Sequence, residues 1–163
     1  MAALNGPAIG GGLELALSCD LRLASEEAMV GMPPARLGLV YSHTGLRRFV
    51  DAIGAARTRE LFYTARTISA RRAERWGLVS EVMPADELAE RAIAYASEIA
   101  ALAPLSQRGN KRVLRELLAA EGALDPETER ELVELREACF RSEDFYEGVQ
   151  AFAEKRKPQW RAQ

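Results

Sequence analysis

The chain has little of several things. Its two cysteines, Cys19 and Cys139, stand far apart in no metal-ligand spacing, and the single histidine, His43, cannot complete a zinc site with them. A disulfide-free chain of a reducing, cytoplasmic-type compartment is expected, with no metal. Neither sign of charge is in excess: Lys plus Arg is 22 and Asp plus Glu 24, a formal net charge of −2. That is not the basic footprint of a nucleic-acid binder. No apolar run approaches the ~18 residues that span a bilayer. The apolar residues 1–12 also lack the basic flank and small-residue cleavage site of a secretory signal. Nucleic acid, export and membrane insertion are therefore not expected. G-x-S-x-G elbow, P-loop, H-E-x-x-H and EF-hand motifs are absent too.

What remains is one domain's worth of ordinary globular composition: 163 residues, 48% hydrophobic and 28% charged. The first half mixes short extended segments with glycine and proline, and the second is periodic and helical, the shift falling near Pro84. Residues 1–4, 20–24 and 28–30 read as strands, and 13–18, free of breakers, as a buried helix. Residues 45–54 place Leu46, Phe49, Val50 and Ile53 on one face of a helix closed by Gly54. Ser69 caps a short helix ending at Gly77, 78–83 alternate like a strand, and Pro84 to Asp86 turn into a helix carrying Leu88, Ala92, Tyr95 and Ile99. Three more helices are expected, starting at Pro104, at Asp125 with Pro126, and at Ser142. The last bears Phe145, Val149 and Phe152 on one face and ends in Lys155, Arg156 and Lys157. The reading is an α/β layer over 1–84 followed by a helical region over 85–163.

The strongest local signal is the run Gly10, Gly11, Gly12 leading from a strand into the helix LELAL. Such a turn leaves backbone N–H groups free at a helix start, where they can hold an oxyanion. One such donor is worth ~3 kcal/mol of transition-state stabilisation. A plain tight turn would use the same glycines, and the spacing is not that of a dinucleotide fold. Glu14 is the only charge in an otherwise apolar helix. Its carboxylate must be paired, be neutralised, or face a polar cleft, as a catalytic group or as a structural one tied to a neighbouring turn. The glycine- and proline-rich stretch 31–45 is the kind of loop that lines sites. Its Tyr41 and His43 read equally as a packed aromatic and a surface imidazole.

Taken together, NGPAIGGGLELALSCDLRLAS, GMPPARLGL, ISARRAERWGLVSEV and FAEKRKPQW closely resemble the enoyl-CoA hydratase/isomerase, or crotonase, superfamily, nearly end to end and in order. The resemblance implies a crotonase-like ββα superhelix, of which this would be the C-terminal portion, with a helical C-terminal trimerisation region. It also implies action on acyl-CoA thioesters, with coenzyme A arriving as part of the substrate and no tightly bound cofactor. Gly11 matches one of two oxyanion-holding amides. The other belongs to a more N-terminal segment, so a fragment or a late start is expected. Phe152 and Lys155 match an aromatic and a lysine that reach coenzyme A, in a homotrimer or hexamer. Glu14 matches the first of two hydratase glutamates, and Pro34 stands at the second, where it can move no proton.

Residues 33–49, with 64–73 and 140–158, most resemble the methylmalonyl-CoA decarboxylase branch, in which Tyr41 matches a site tyrosine. The resemblance thus implies a lyase that decarboxylates a malonyl-type thioester through Gly11, Glu14 and Tyr41. An enoyl-CoA hydratase or isomerase is the alternative, and a non-catalytic acyl-CoA-binding or assembly subunit the third.

Overall fold

The structure is a computed structural model that describes residues 1–101, 109–111, 114, 118, 126–156, 158–159 and 161, with backbone alone at 128–129, 131–132, 135–136 and 139. The expected helix starts Pro104 and Asp125, the basic Lys157 and the Cys139 side chain lie outside the described residues.

Strand β1 (Ala2–Leu4) is followed by β2 (Ala8–Ile9) and helix α1 (Gly11–Leu17), then by β3 (Arg22–Ser25) and β4 (Met29–Gly31). A 3-10 turn (Pro34–Leu37) leads to α2 (His43–Thr64), and β5 (Thr67–Ser69), α3 (Ala70–Trp76) and β6 (Glu81–Met83) complete the layered part. Up to β4, successive strands go to different sheets; β5 then joins the sheet of β4, and β6 the other. One has the order β1-β3-β6 and is parallel throughout; the other has the order β2-β4-β5, with β2 parallel and β5 antiparallel to β4. A strand–strand–helix unit thus occurs twice, as β1-β2-α1 and β3-β4-α2, each giving one strand to either sheet. Helix α4 (Leu88–Ala100) and two further helices, α5 (Pro126–Phe140) and α6 (Glu143–Ala153), follow. Among the described residues no helix is long and apolar enough to cross a membrane.

Local chemistry explains most boundaries. Ser42, Ser69 and Ser142 each accept a backbone N–H of the first turn, capping α2, α3 and α6. Gly77 ends α3 in the left-handed conformation at φ 82°. Gly54, at φ 75° and ψ 163°, breaks α2 where the sequence places a stop, but a second helical stretch runs on from it to Thr64. The expected strand over 78–83 is shorter, Glu81–Met83, with Leu78 and Val79 buried ahead of it. The main core gathers Leu13, Val30, Met32, Phe49, Leu61 and Leu78 between the sheets and the helices. Leu23, Met83 and Leu88, with Ala92 and Tyr95, form a smaller cluster under α4. Each fully buried leucine or phenylalanine contributes ~1.5–3 kcal/mol, so these clusters hold the layers together.

Candidate active site

Strand β2 delivers the triple glycine. Its ladder with β4 ends in the bond from Gly10 N–H to the Gly31 carbonyl, 2.9 Å, and the Gly10 carbonyl then accepts from both Leu13 and Glu14 at 3.1 Å. Gly10 needs to be glycine for its backbone, at φ 61°. Gly11 and Gly12 need not be: a Cβ on either would meet nothing within 4 Å. Both are exposed, and no hydrogen bond among the described residues uses their N–H groups. Packing therefore does not call for glycine there, whereas a ligand approaching the backbone would.

The helix that follows is less buried than its composition suggests. Leu13 and Ala16 face the core, but Leu15 is 71% exposed. Glu14 is half-buried and points to α2. Its Oε2 accepts the hydroxyl of Tyr41, across 27 positions of sequence. Of the three states the sequence leaves open for this carboxylate, it is paired, and with a neutral phenol from the glycine- and proline-rich loop rather than with a neighbouring turn. No ion pair among the described residues reaches it. The Tyr41 ring packs on the main core and meets Phe62 edge-on at 5.6 Å, while Phe62 meets Phe49 the same way at 5.0 Å.

Pro34 is buried in the first position of the 3-10 turn. No second carboxylate stands at that position, and a proline there can neither take nor give a proton. His43 opens α2, half-buried, one position after the capping Ser42. The site so far consists of open N–H groups at Gly11 and Gly12 and, one helical turn on, an acid bonded to a phenol. It can hold developing negative charge and relay a proton.

Phe152 and Lys155 are not in this cluster. Both lie at the end of α6, which packs through Gly148 and Ala151 against the turn at Leu37. The small residues face inward because the turn comes so close, and Phe152, 77% exposed, is not helix core. It borders an open groove of about 450 Å³ with Leu37, Tyr63 and Arg156. Lys155 adopts φ 54°, a left-handed conformation uncommon for a side-chain-bearing residue. Arg156 then turns back to bond both oxygens of Glu147, at 2.5 and 2.8 Å. That guanidinium, helped by the Gln159 N–H, pulls the Glu147 carboxyl from its ordinary 4.5 to about 2.

Sequence reasoning misses Gly45 and Phe62, which touch Tyr41. Phe62 lies beyond the stop at Gly54, and Gly45 carries no side chain to notice.

A family model described as enoyl-CoA hydratase/isomerase matches residues 1–163. A probable enoyl-CoA hydratase of Mycobacterium tuberculosis is 40% identical over 163 residues, 98% of this chain and 61% of its own. A crystal structure of methylmalonyl-CoA decarboxylase aligns with a TM-score of 0.90 at 32% identity, over 97% of this chain and 61% of that one. Carnitinyl-CoA hydratase from Mycobacterium avium aligns at 0.83 with 39% identity, over 98% of this chain and 61% of that one. The chain spans about three-fifths of the length of these relatives.

Proposed function

The chain belongs to the enoyl-CoA hydratase/isomerase family, and from that premise we propose that it is a lyase acting on a short acyl-CoA thioester, decarboxylating a malonyl-type substrate. The observation that carries this reading is the pairing of Glu14 with Tyr41 while a buried proline occupies the second-acid position. Adding water across a double bond calls for a base to take the water proton and an acid to protonate carbon. Losing carbon dioxide calls for neither a base nor a water site.

In the proposed step the bond between the α-carbon and its carboxylate breaks and its electron pair moves into the thioester. Carbon dioxide leaves, and an enolate forms whose oxygen is held by the Gly11 N–H. One proton then reaches the α-carbon. The substrate carboxylate must stand perpendicular to the thioester plane, and a phenol can orient it without adding charge. In the resting pair the Tyr41 hydroxyl is given to Glu14, so a bound carboxylate would compete for it. Glu14 and Tyr41 between them hold the proton that the enolate requires. Phe152 and Lys155 are proposed to meet the coenzyme A portion, in a trimer or hexamer.

A hydratase or isomerase is the second reading, favoured by the hydratases among the relatives at 39–40% identity. Incubating the purified protein with methylmalonyl-CoA and with crotonyl-CoA separates the two. Carbon dioxide release from the first, with little hydration of the second, is expected. Rapid hydration without carbon dioxide release would replace the first reading with the second.

A further inference from the structure

Whether the Tyr41 hydroxyl reaches Glu14 depends on where its ring lies, and a residue outside the pair sets that position. Gly45 is buried in the first turn of α2. A Cβ built on it would stand 2.5 Å from Tyr41 Cε1, 2.9 Å from Cδ1 and 3.0 Å from Glu14 Oε1. Its backbone is ordinary helix, so conformation does not call for glycine, and by helix propensity alone alanine is the better residue. Space is the only reason left. The Tyr41 ring also meets Phe62 in a T-shaped contact, and Phe62 meets Phe49 in the same way. Phe49 and Phe62 come from the two halves of α2, brought together by the break at Gly54.

We propose that Gly45 is a positioning residue: its missing side chain opens a slot in which the Tyr41 ring, packed also on Phe62, lies with its hydroxyl on Glu14. The inference rests on Glu14 and Tyr41 being the working pair proposed above. Its content is steric, however, and can be tested without turnover.

The test compares Gly45→Ala, Tyr41→Ala and the double variant with the wild type. Gly45→Ala should lower the melting temperature by on the order of 5 °C, against its helix propensity. The same substitution should cost little or nothing once Tyr41→Ala has emptied the slot. Such non-additivity is the signature of direct contact. The phenolic carbon resonance of labelled Tyr41 should also move in Gly45→Ala. Glu14→Gln should move it in the same direction, because both changes weaken the hydrogen bond to the carboxylate. Where methylmalonyl-CoA is turned over, Gly45→Ala should lower kcat on the order of 10²-fold with KM little changed, as misplacing a reacting group by about 1 Å does.

A melting penalty undiminished by Tyr41→Ala, or a Tyr41 resonance that Gly45→Ala leaves in place, would overturn the slot. If Gly45→Ala does not fold, recovery of folding in the double variant supports the slot and failure to recover overturns it. Wild-type protein inert towards thioesters would sink the proposed lyase activity alone, since the melting and resonance tests are read without substrate.

Discussion

The glycine turn and the end of the last helix hold their groups in opposite ways. At the turn, Glu14 and Tyr41 are half-buried, bonded to each other, and backed by the Phe62 and Phe49 rings. At the end of α6, Phe152 is exposed, and the neighbouring Glu147, Glu154 and Arg156 are fixed by charge pairs in solvent. The first arrangement is set by packing around one hydrogen bond. The second is set by exposed ion pairs, individually weak and screened by salt. A group that must meet a reacting atom belongs in the first kind of place, and a group that only has to grip the far end of a long ligand can stand in the second.

The largest effect expected at the turn is that of Glu14→Gln, which keeps the shape and removes the charge. Loss of an acid–base group lowers kcat by roughly 10²–10⁴-fold, measured with methylmalonyl-CoA. A loss under tenfold would leave Glu14 a structural partner of Tyr41 and erase the contrast between the regions. At the helix end, Phe152→Ala should weaken coenzyme A binding about tenfold while leaving kcat near wild type, the pattern of binding lost equally from ground and transition states. Isothermal titration with coenzyme A, together with a KM and kcat pair, tests this. A fall in kcat with unchanged affinity would place Phe152 with the chemistry.

The smallest effect concerns acid. Because Arg156, with the Gln159 N–H, lowers the Glu147 carboxyl from 4.5 to about 2, the folded tail favours its ionised form. The sign follows from linkage: that contribution is complete above about pH 4.5 and fades as pH falls towards 2. Amide exchange at Gln159, whose N–H bonds Glu147, should quicken relative to its intrinsic rate over that range in the wild type. In Glu147→Gln it should be fast already at neutral pH. Exchange that stays slow in the variant would mean that packing, rather than charge, holds the tail.

Much of this organisation is legible in the sequence where its causes are local. Ser69, Gly77 and Ser142 mark helix ends because capping is decided within one turn of chain, and each does so in the structure. Strands β2 and β5, two and three residues long, are not legible, since they exist only by pairing with β4. The continuation of α2 beyond Gly54 escapes for a related reason: a glycine that ends one helix says nothing about whether another begins. The same limit applies at the site. Gly11 and Glu14 stand out on spacing and on charge in an apolar helix. Their resemblance to the family identifies Tyr41 as well, but the bond between Glu14 and Tyr41 is a product of how α1 and α2 pack.

One contact ties the two regions together. A methyl group on Gly148 would come within 2.5 Å of the Leu37 carbonyl oxygen, so α6 and the 3-10 turn mesh like a tooth in a notch. The close approach leaves no room there for a side chain, and the backbone beyond that turn leads to Tyr41. Bulk added at Gly148 would thus be felt four residues of chain ahead of the phenol.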